Sequence, residues 1–203
     1  MTILIFILAF LITITIHEAA HAYVADKLGD PTARLMGRLT LNPISHIDPY
    51  GTLLIPFFLI MIGSPMVFGW AKPVPIDPYN LANPKKDAAL IAIAGPLVNI
   101  LLATLLAILV RFGIFNEFIF ALIRFNVVLA VFNLIPVHPL DGGKVLVGLL
   151  PGKEAHDLDN FLHRYGFIIL IMLIFPIFGG VSLLSQIISP VISLILNLLL
   201  PGV

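Results

Sequence analysis

His17-Glu18-Ala19-Ala20-His21 sets two imidazoles four residues apart with a carboxylate beside the first. Along an α-helix four residues advance about 400° and rise about 6 Å, so both rings project from one face and can hold a single ion. Glu18 stands at the next position round, where a carboxylate acts on water at the metal rather than binding the metal itself. The chemistry implied is metal-assisted hydrolysis. Because the motif lies in an apolar run that begins at the N-terminus, the metal would be buried in a membrane. A catalytic zinc needs a third protein ligand and leaves the fourth position to water. The candidate is Asp141, in Asn133-Leu134-Ile135-Pro136-Val137-His138-Pro139-Leu140-Asp141-Gly142-Gly143, where prolines and glycines break a helix that otherwise runs from Phe118 towards Leu150. Unwound backbone at membrane depth is tolerated only where it lines protein or a watery cavity. A carboxylate there costs a few kcal/mol unpaired, and coordination to a cation removes that cost. Asp141 also suits a helix N-cap, a role compatible with metal binding.

The elements that must position these residues are membrane helices. Over 203 residues the chain is 60% hydrophobic and 11% charged with mean hydropathy +1.09, a balance that cannot form an ordinary water-soluble globule. Net charge is zero, so no basic surface points to nucleic acid. The absence of cysteine excludes disulfides, thiol catalysis and thiolate metal sites, leaving His, Asp and Glu as the strong ligands. Residues 2 to about 25 have no basic region before them and no convincing cleavage site, so they read as a retained transmembrane helix rather than a signal peptide. Further apolar runs are Ala88–Val110, Phe118–Pro136 and Tyr165–Val203, the last long enough for two helices hinged at Gly179-Gly180. Thr52–Gly63 is too short to span and is interrupted by Pro56, so it reads as re-entrant or interfacial. The expectation is a single membrane-embedded domain over residues 1–203. It is an all-α polytopic membrane protein of about five transmembrane helices plus the re-entrant segment, with the metal between the first helix and a broken one.

Charge placement orients it. With 52–63 not spanning, Lys27, Arg34, Arg38, Lys72, Lys85 and Lys86 share one side, joined after two more crossings by Lys144, Lys153 and Arg164. Only Arg111 faces the other side. The positive-inside rule then puts the N-terminus outside and the metal nearer the cytoplasmic leaflet.

These motifs together resemble the site-2 protease family, zinc metalloproteases that cleave transmembrane substrates within the bilayer. The resemblance rests on His17-Glu18-Ala19-Ala20-His21, on Gly95-Pro96-Leu97-Val98-Asn99, and on Asn133-Leu134-Ile135-Pro136 running into Pro139-Leu140-Asp141-Gly142. The stretches Asn42–Thr52 and Phe68–Pro75 are similar to a compact prokaryotic branch, which implies the plasma (inner) membrane of a prokaryote. The resemblance implies one zinc per chain on His17, His21 and Asp141, with Glu18 as the base and a transmembrane-helix protein as substrate. It also tilts Asn133 towards the oxyanion or the substrate backbone. His138 stands where the family commonly has proline or an apolar residue, and either binds the metal or faces the cavity. The chain has no room for the PDZ insert or CBS domains that some members carry.

Other polar residues keep two readings. Asn99, an amide in an apolar helix, either joins helices or touches substrate. His46 is either substrate-contacting or a stabiliser of its proline-rich turns. His156 and His163, among Glu154, Asp157, Asp159 and Arg164, look like an inert solvated loop. The proline-rich, β-branched residues 40–75 read as non-helical, and with the family's practice they suggest a clamp that receives an unwound substrate as an added strand. The rival functions are a catalytically inactive partner-binding pseudoprotease and a metal transporter. The intact Glu18 argues against the first. The lack of a second intramembrane ligand set argues against the second. Oligomeric state stays open.

Overall fold

A computed structural model describes residues 2–63, 69–114, 116–175 and 182–200. Among these the chain is helical, without strands, in the order α1 (Thr2–Lys27), α2 (Thr32–Leu35), α3 (Ile55–Met61), α4 (Pro84–Arg111), α5 (Glu117–Asn133), α6 (Asp141–Leu149), α7 (Gly152–Ile174) and α8 (Leu183–Leu199). At 1.5 Å per residue α1 and α4 run about 39 and 42 Å, more than a roughly 30 Å hydrocarbon core, and both are long and apolar enough to cross a membrane. At 17 residues α5 and α8 are shorter, and α7 begins in the charged segment expected to be a loop. Residues 152–164 form its first three turns because they alternate polar and apolar at helical spacing. Ala155 and Leu162 are buried, while Glu154 and Phe161 are exposed. The proposed Gly179-Gly180 hinge lies outside the described residues.

The central helix is α4, which touches α1, α5 and α6. The distribution of side chains is inverted relative to a water-soluble protein. Leu4, Ile7, Leu97, Leu101, Phe167 and Ile187 are half or more exposed, whereas Thr13, His17, His21, Asn99 and Asn126 are buried where α1, α4 and α5 meet. An exterior of that kind fits hydrocarbon, and an interior of polar groups joins helices there.

Residues 40–75 depart from the expectation of a non-helical, strand-like stretch. They contain a turn at Pro43–His46, a wide helical turn at Pro49–Leu54 and then α3. Asp48 caps the second by accepting from the N–H groups of Tyr50 (3.0 Å) and Gly51 (2.7 Å). Pro49 and Pro56 occupy first-turn positions, where a missing N–H costs nothing, so proline starts these helices instead of breaking them. The segment from Gly69 lies back on this turn. Trp70 N donates to Gly51 O (3.2 Å), Thr52 Oγ1 to Trp70 O (2.8 Å) and Lys72 N to His46 O (3.0 Å). Only glycine fits at 51, since a Cβ there would lie 2.3 Å from Trp70 Nε1.

Two anchors fix the ends of the core helices. Buried Asp30, just beyond α1, accepts from Thr32 N (3.0 Å), Asp77 N (2.8 Å) and Asn80 Nδ2 (2.9 Å), tying the entry to α4 onto the exit of α1. The broken helix divides as expected. Its first half, α5, ends at Asn133, residues 134–140 turn, and α6 starts at Asp141. The turn closes on Gly142, where a Cβ would meet the carbonyl oxygens of Leu134 and Ile135 at 2.3 and 2.4 Å.

Candidate metal centre

One turn of α1 and the first residue of α6 meet at a point. His17 Nε2 and His21 Nε2 are 3.1 Å apart, and Asp141 Oδ2 lies 3.2 Å from the first and 3.3 Å from the second. Ligands about 2.0–2.1 Å from a tetrahedral zinc are separated by roughly 3.3–3.4 Å, so this triangle has the size of one face of a zinc coordination shell. Asp141 Oδ2 is buried and accepts no hydrogen bond. Unpaired, such an oxygen is costly, and a cation in the triangle satisfies it.

The protons on the two imidazoles follow from their other nitrogens. His21 Nδ1 is 2.7 Å from Ile91 O, and a carbonyl only accepts, so Nδ1 carries the proton and Nε2 presents a lone pair. The proton on His17 is set from farther away. Asn126 Nδ2 donates to Leu122 O (2.8 Å) and to Thr13 Oγ1 (3.0 Å), which turns its Oδ1 towards Asn99. Asn99 must then donate through Nδ2 (2.7 Å), leaving its own Oδ1 to accept from His17 Nδ1 at 2.6 Å. Both Nε2 atoms therefore point bare electron pairs into the same 3.1 Å gap, an arrangement that repels itself unless a cation or a proton stands between. Helix α4 makes room for this. A Cβ on Gly95 would lie 2.5 Å from His21 Nε2 and 2.7 Å from His17 Nε2. Gly95 and Asn99, four residues apart on one face, thus admit the two rings and orient one of them.

The profile of peptidase family M50 matches residues 5–118 and 109–175, which together carry every residue of this centre. The chain belongs to peptidase family M50. Among its relatives, YwhC of Bacillus subtilis is 38% identical over 180 residues, covering 82% of this chain and 78% of that one. Zinc metalloprotease MJ0392 of Methanocaldococcus jannaschii is 30% identical over 155 residues, 74% of this chain but 35% of its own length. Stage IV sporulation protein FB of Bacillus subtilis is 30% identical over 150 residues, 71% of this chain and 52% of that protein. No solved structure gives a significant match.

In this M50 chain Glu18 is half-buried on α1 between the two histidines. The remaining predicted residues lie outside the metal triangle. Asn99 is fully buried and engaged on both sides, which makes it a support of His17. His46 is buried in its loop with Nε2 3.0 Å from Thr40 O, the turn-stabilising alternative. His138 turns away from the metal triangle and reaches Asp159 of α7 at 3.1 Å, because the turn at 134–140 points its ring outward while presenting Asp141 inward. Asn133 is half-buried with Nδ2 donating to Leu129 O one turn back (3.0 Å). Asn126 and Thr13 complete the hydrogen-bonded chain behind His17 and are not among the residues the sequence singles out. The signal was available, since Asn126 is, like Asn99, an amide within an apolar run.

Proposed function

We propose that this M50 chain is a zinc-dependent intramembrane endopeptidase that hydrolyses peptide bonds within or near transmembrane helices of membrane proteins. The observation that carries the reading is the triangle of His17 Nε2, His21 Nε2 and Asp141 Oδ2 among apolar helices, with both imidazoles fixed as electron-pair donors. These three residues would hold one tightly bound zinc, which supplies Lewis acidity to acidify a coordinated water and polarise a carbonyl. Glu18 takes the proton of the attacking water and returns it to the leaving amine. The Asn126–Asn99 relay keeps His17 in the tautomer the site needs. A relative named zinc metalloprotease supports the choice of zinc.

The apolar exterior supports a bilayer location, and the charge bias supports a centre nearer the cytoplasmic leaflet. A helical substrate hides its carbonyls in i→i−4 hydrogen bonds and must unwind locally before attack. The turn at Pro49–Leu54, the exposed apolar α3 and the extended segment from Gly69 are the parts of this chain that would receive it.

The test is metal content of detergent-purified protein by mass spectrometry, wild type beside Asp141→Ala. Tightly held zinc in the wild type, lost in the variant, is the expected result, followed by cleavage of a transmembrane reporter that Glu18→Gln abolishes. A folded wild type purified without chelator and without metal would overturn the proposal in favour of a non-catalytic, partner-binding protein.

A further inference from the structure

Near their N-terminal ends α1 and α5 frame a groove that the metal centre does not use. Buried Ala9 of α1 and Ala121 of α5 belong to one apolar cluster, and beside it opens a cavity of about 480 Å³. Phe6 stands on one side, Phe120 and Val128 on the other. The Phe125 ring meets Phe6 at 6.1 Å and Phe10 at 5.9 Å, both edge to face. Phe6 precedes His17 by eleven residues, roughly 16 Å along the helix, so the cavity is separate from the metal triangle.

Two opposite charges line this otherwise apolar space, Glu117 in the first turn of α5 and Arg124 two turns further on. Seven residues return to nearly the same face of a helix, about 10 Å along its axis. Both side chains are exposed, and among the described residues neither makes a hydrogen bond or an ion pair. An arginine that far into an apolar helix is costly unless it finds a partner or the interface. Its Cβ leans towards the helix N-terminus and its long stem snorkels the same way, towards Glu117.

From this arrangement we propose that the groove holds one phospholipid whose headgroup carries a primary ammonium, of the phosphatidylethanolamine type. The groups along α5 stand in the order of the groups in such a lipid. Glu117 takes the ammonium, the Arg124 guanidinium takes phosphate oxygens through its paired N–H donors, and an acyl chain continues past Phe125 and Val128. A headgroup with phosphate alone would leave Glu117 without a cation, and a trimethylated ammonium has no N–H to donate to it. The inference rests on the bilayer location proposed above and not on the chemistry at the metal. The same charge bias that supports an outward N-terminus puts the groove in the outer leaflet. There the lipid bridges α1, which carries both histidines, and α5, which leads to Asp141.

Native mass spectrometry of the delipidated full chain in detergent tests this, with phosphatidylethanolamine, phosphatidylcholine and phosphatidylglycerol of identical acyl chains added in turn. Wild type is expected to retain one phosphatidylethanolamine at least about tenfold more tightly than either other lipid, the worth of one charge-assisted hydrogen bond. Arg124→Gln should weaken all three lipids, since all carry the phosphate, whereas Glu117→Gln should lose only the preference for phosphatidylethanolamine. Both residues are exposed, so the variants keep the fold, checked by an unchanged thermal midpoint in lipid-free detergent. Phosphatidylethanolamine should raise that midpoint in wild type and not in Arg124→Gln, since a ligand bound only to the native state stabilises it. Equal retention by wild type and Arg124→Gln, or a wild type without headgroup preference, overturns the lipid site. A chain that instead dimerises, and becomes monomeric in Arg124→Gln, gives the groove to a protein helix and overturns it too. Zinc content of the same samples separates the two readings. A zinc-loaded chain without lipid preference keeps the proposed protease and loses the lipid site, and a metal-free chain that retains phosphatidylethanolamine through Arg124 does the reverse.

Discussion

Replacing Asn126 by leucine, of similar size, should weaken the metal centre although Asn126 touches no ligand of the metal directly. The substitution removes the acceptor for Asn99 Nδ2, now engaged at 2.7 Å, while the nearest other acceptor, Thr13 O, is 3.5 Å away. An unpaired buried amide donor costs about 1–3 kcal/mol. The Asn99 amide can escape that cost only by turning over, which presents N–H instead of oxygen to His17 Nδ1 and drives the imidazole proton to Nε2, where a metal must bind. The penalty on binding is therefore of the same order, about 1.4–2.8 kcal/mol or 10- to 100-fold in zinc affinity, the range typical for lost orienting partners. Competition with a calibrated chelator on the detergent-purified chain measures it. Asn126→Asp is the control. As the neutral acid its O–H donates to Leu122 O and its carbonyl oxygen accepts from Asn99, losing only the donation to Thr13 Oγ1 and keeping the acceptor that orients Asn99, so its zinc affinity stays near wild type. Wild-type affinity in Asn126→Leu, or equal losses in both variants, would refute the tautomer argument.

Gly95→Ala puts a methyl 2.5–2.7 Å from both Nε2 atoms, so it should abolish bound zinc at the His17–His21–Asp141 centre in a protein that still folds, read as zinc content against circular dichroism. Glu18→Gln should keep that zinc and lose about 10²–10⁴ in cleavage rate, the usual worth of a general base, in a single-turnover assay on a transmembrane reporter. Asp30→Ala strands the donors of Thr32, Asp77 and Asn80 and should cost about 2–4 kcal/mol, seen as a lower thermal midpoint in detergent. Burial alone would push the Asp30 carboxyl up, but hydrogen bonds from Thr32, Asn80 and Asp77 hold it below the usual carboxylate range. Its contribution is thus complete above the ordinary aspartate value of about 3.9 and is lost as pH falls from there through the lower folded value. The difference in midpoint between wild type and Asp30→Ala should be constant near neutrality and shrink below about pH 4.

The residues of the proposed metal centre were legible because helix periodicity alone brings His17 and His21 together, and because prolines and glycines around Asp141 announce a break in an apolar run. Long-range packing was not legible. That Asn99 faces His17, and Asn126 faces Asn99, depends on how α4 and α5 rotate against α1, which no local pattern in any one helix specifies. His138 shows the same limit from the other direction. It lies three positions before Asp141, a ligand of the proposed centre, yet a turn sends neighbouring side chains opposite ways, and its partner is Asp159 on a later helix. In residues 40–75 the error was one of weighting. Proline was read as a helix breaker, whereas Pro49 and Pro56 lie in first turns, and the Asp48 cap was the overlooked sign of a helical start.

Trp70 is the only tryptophan in the chain, and its indole lies over Gly51 in the very segment proposed to receive substrate. The protein therefore carries its own fluorophore at the proposed entrance. Emission excited at the tryptophan band comes from this single position without subtraction or labelling, so its wavelength registers directly whether the indole remains on Gly51 or is displaced into lipid when a guest helix arrives. A quencher placed at known depth on an acyl chain would also turn the same signal into a ruler for how far the entrance lies from the bilayer centre.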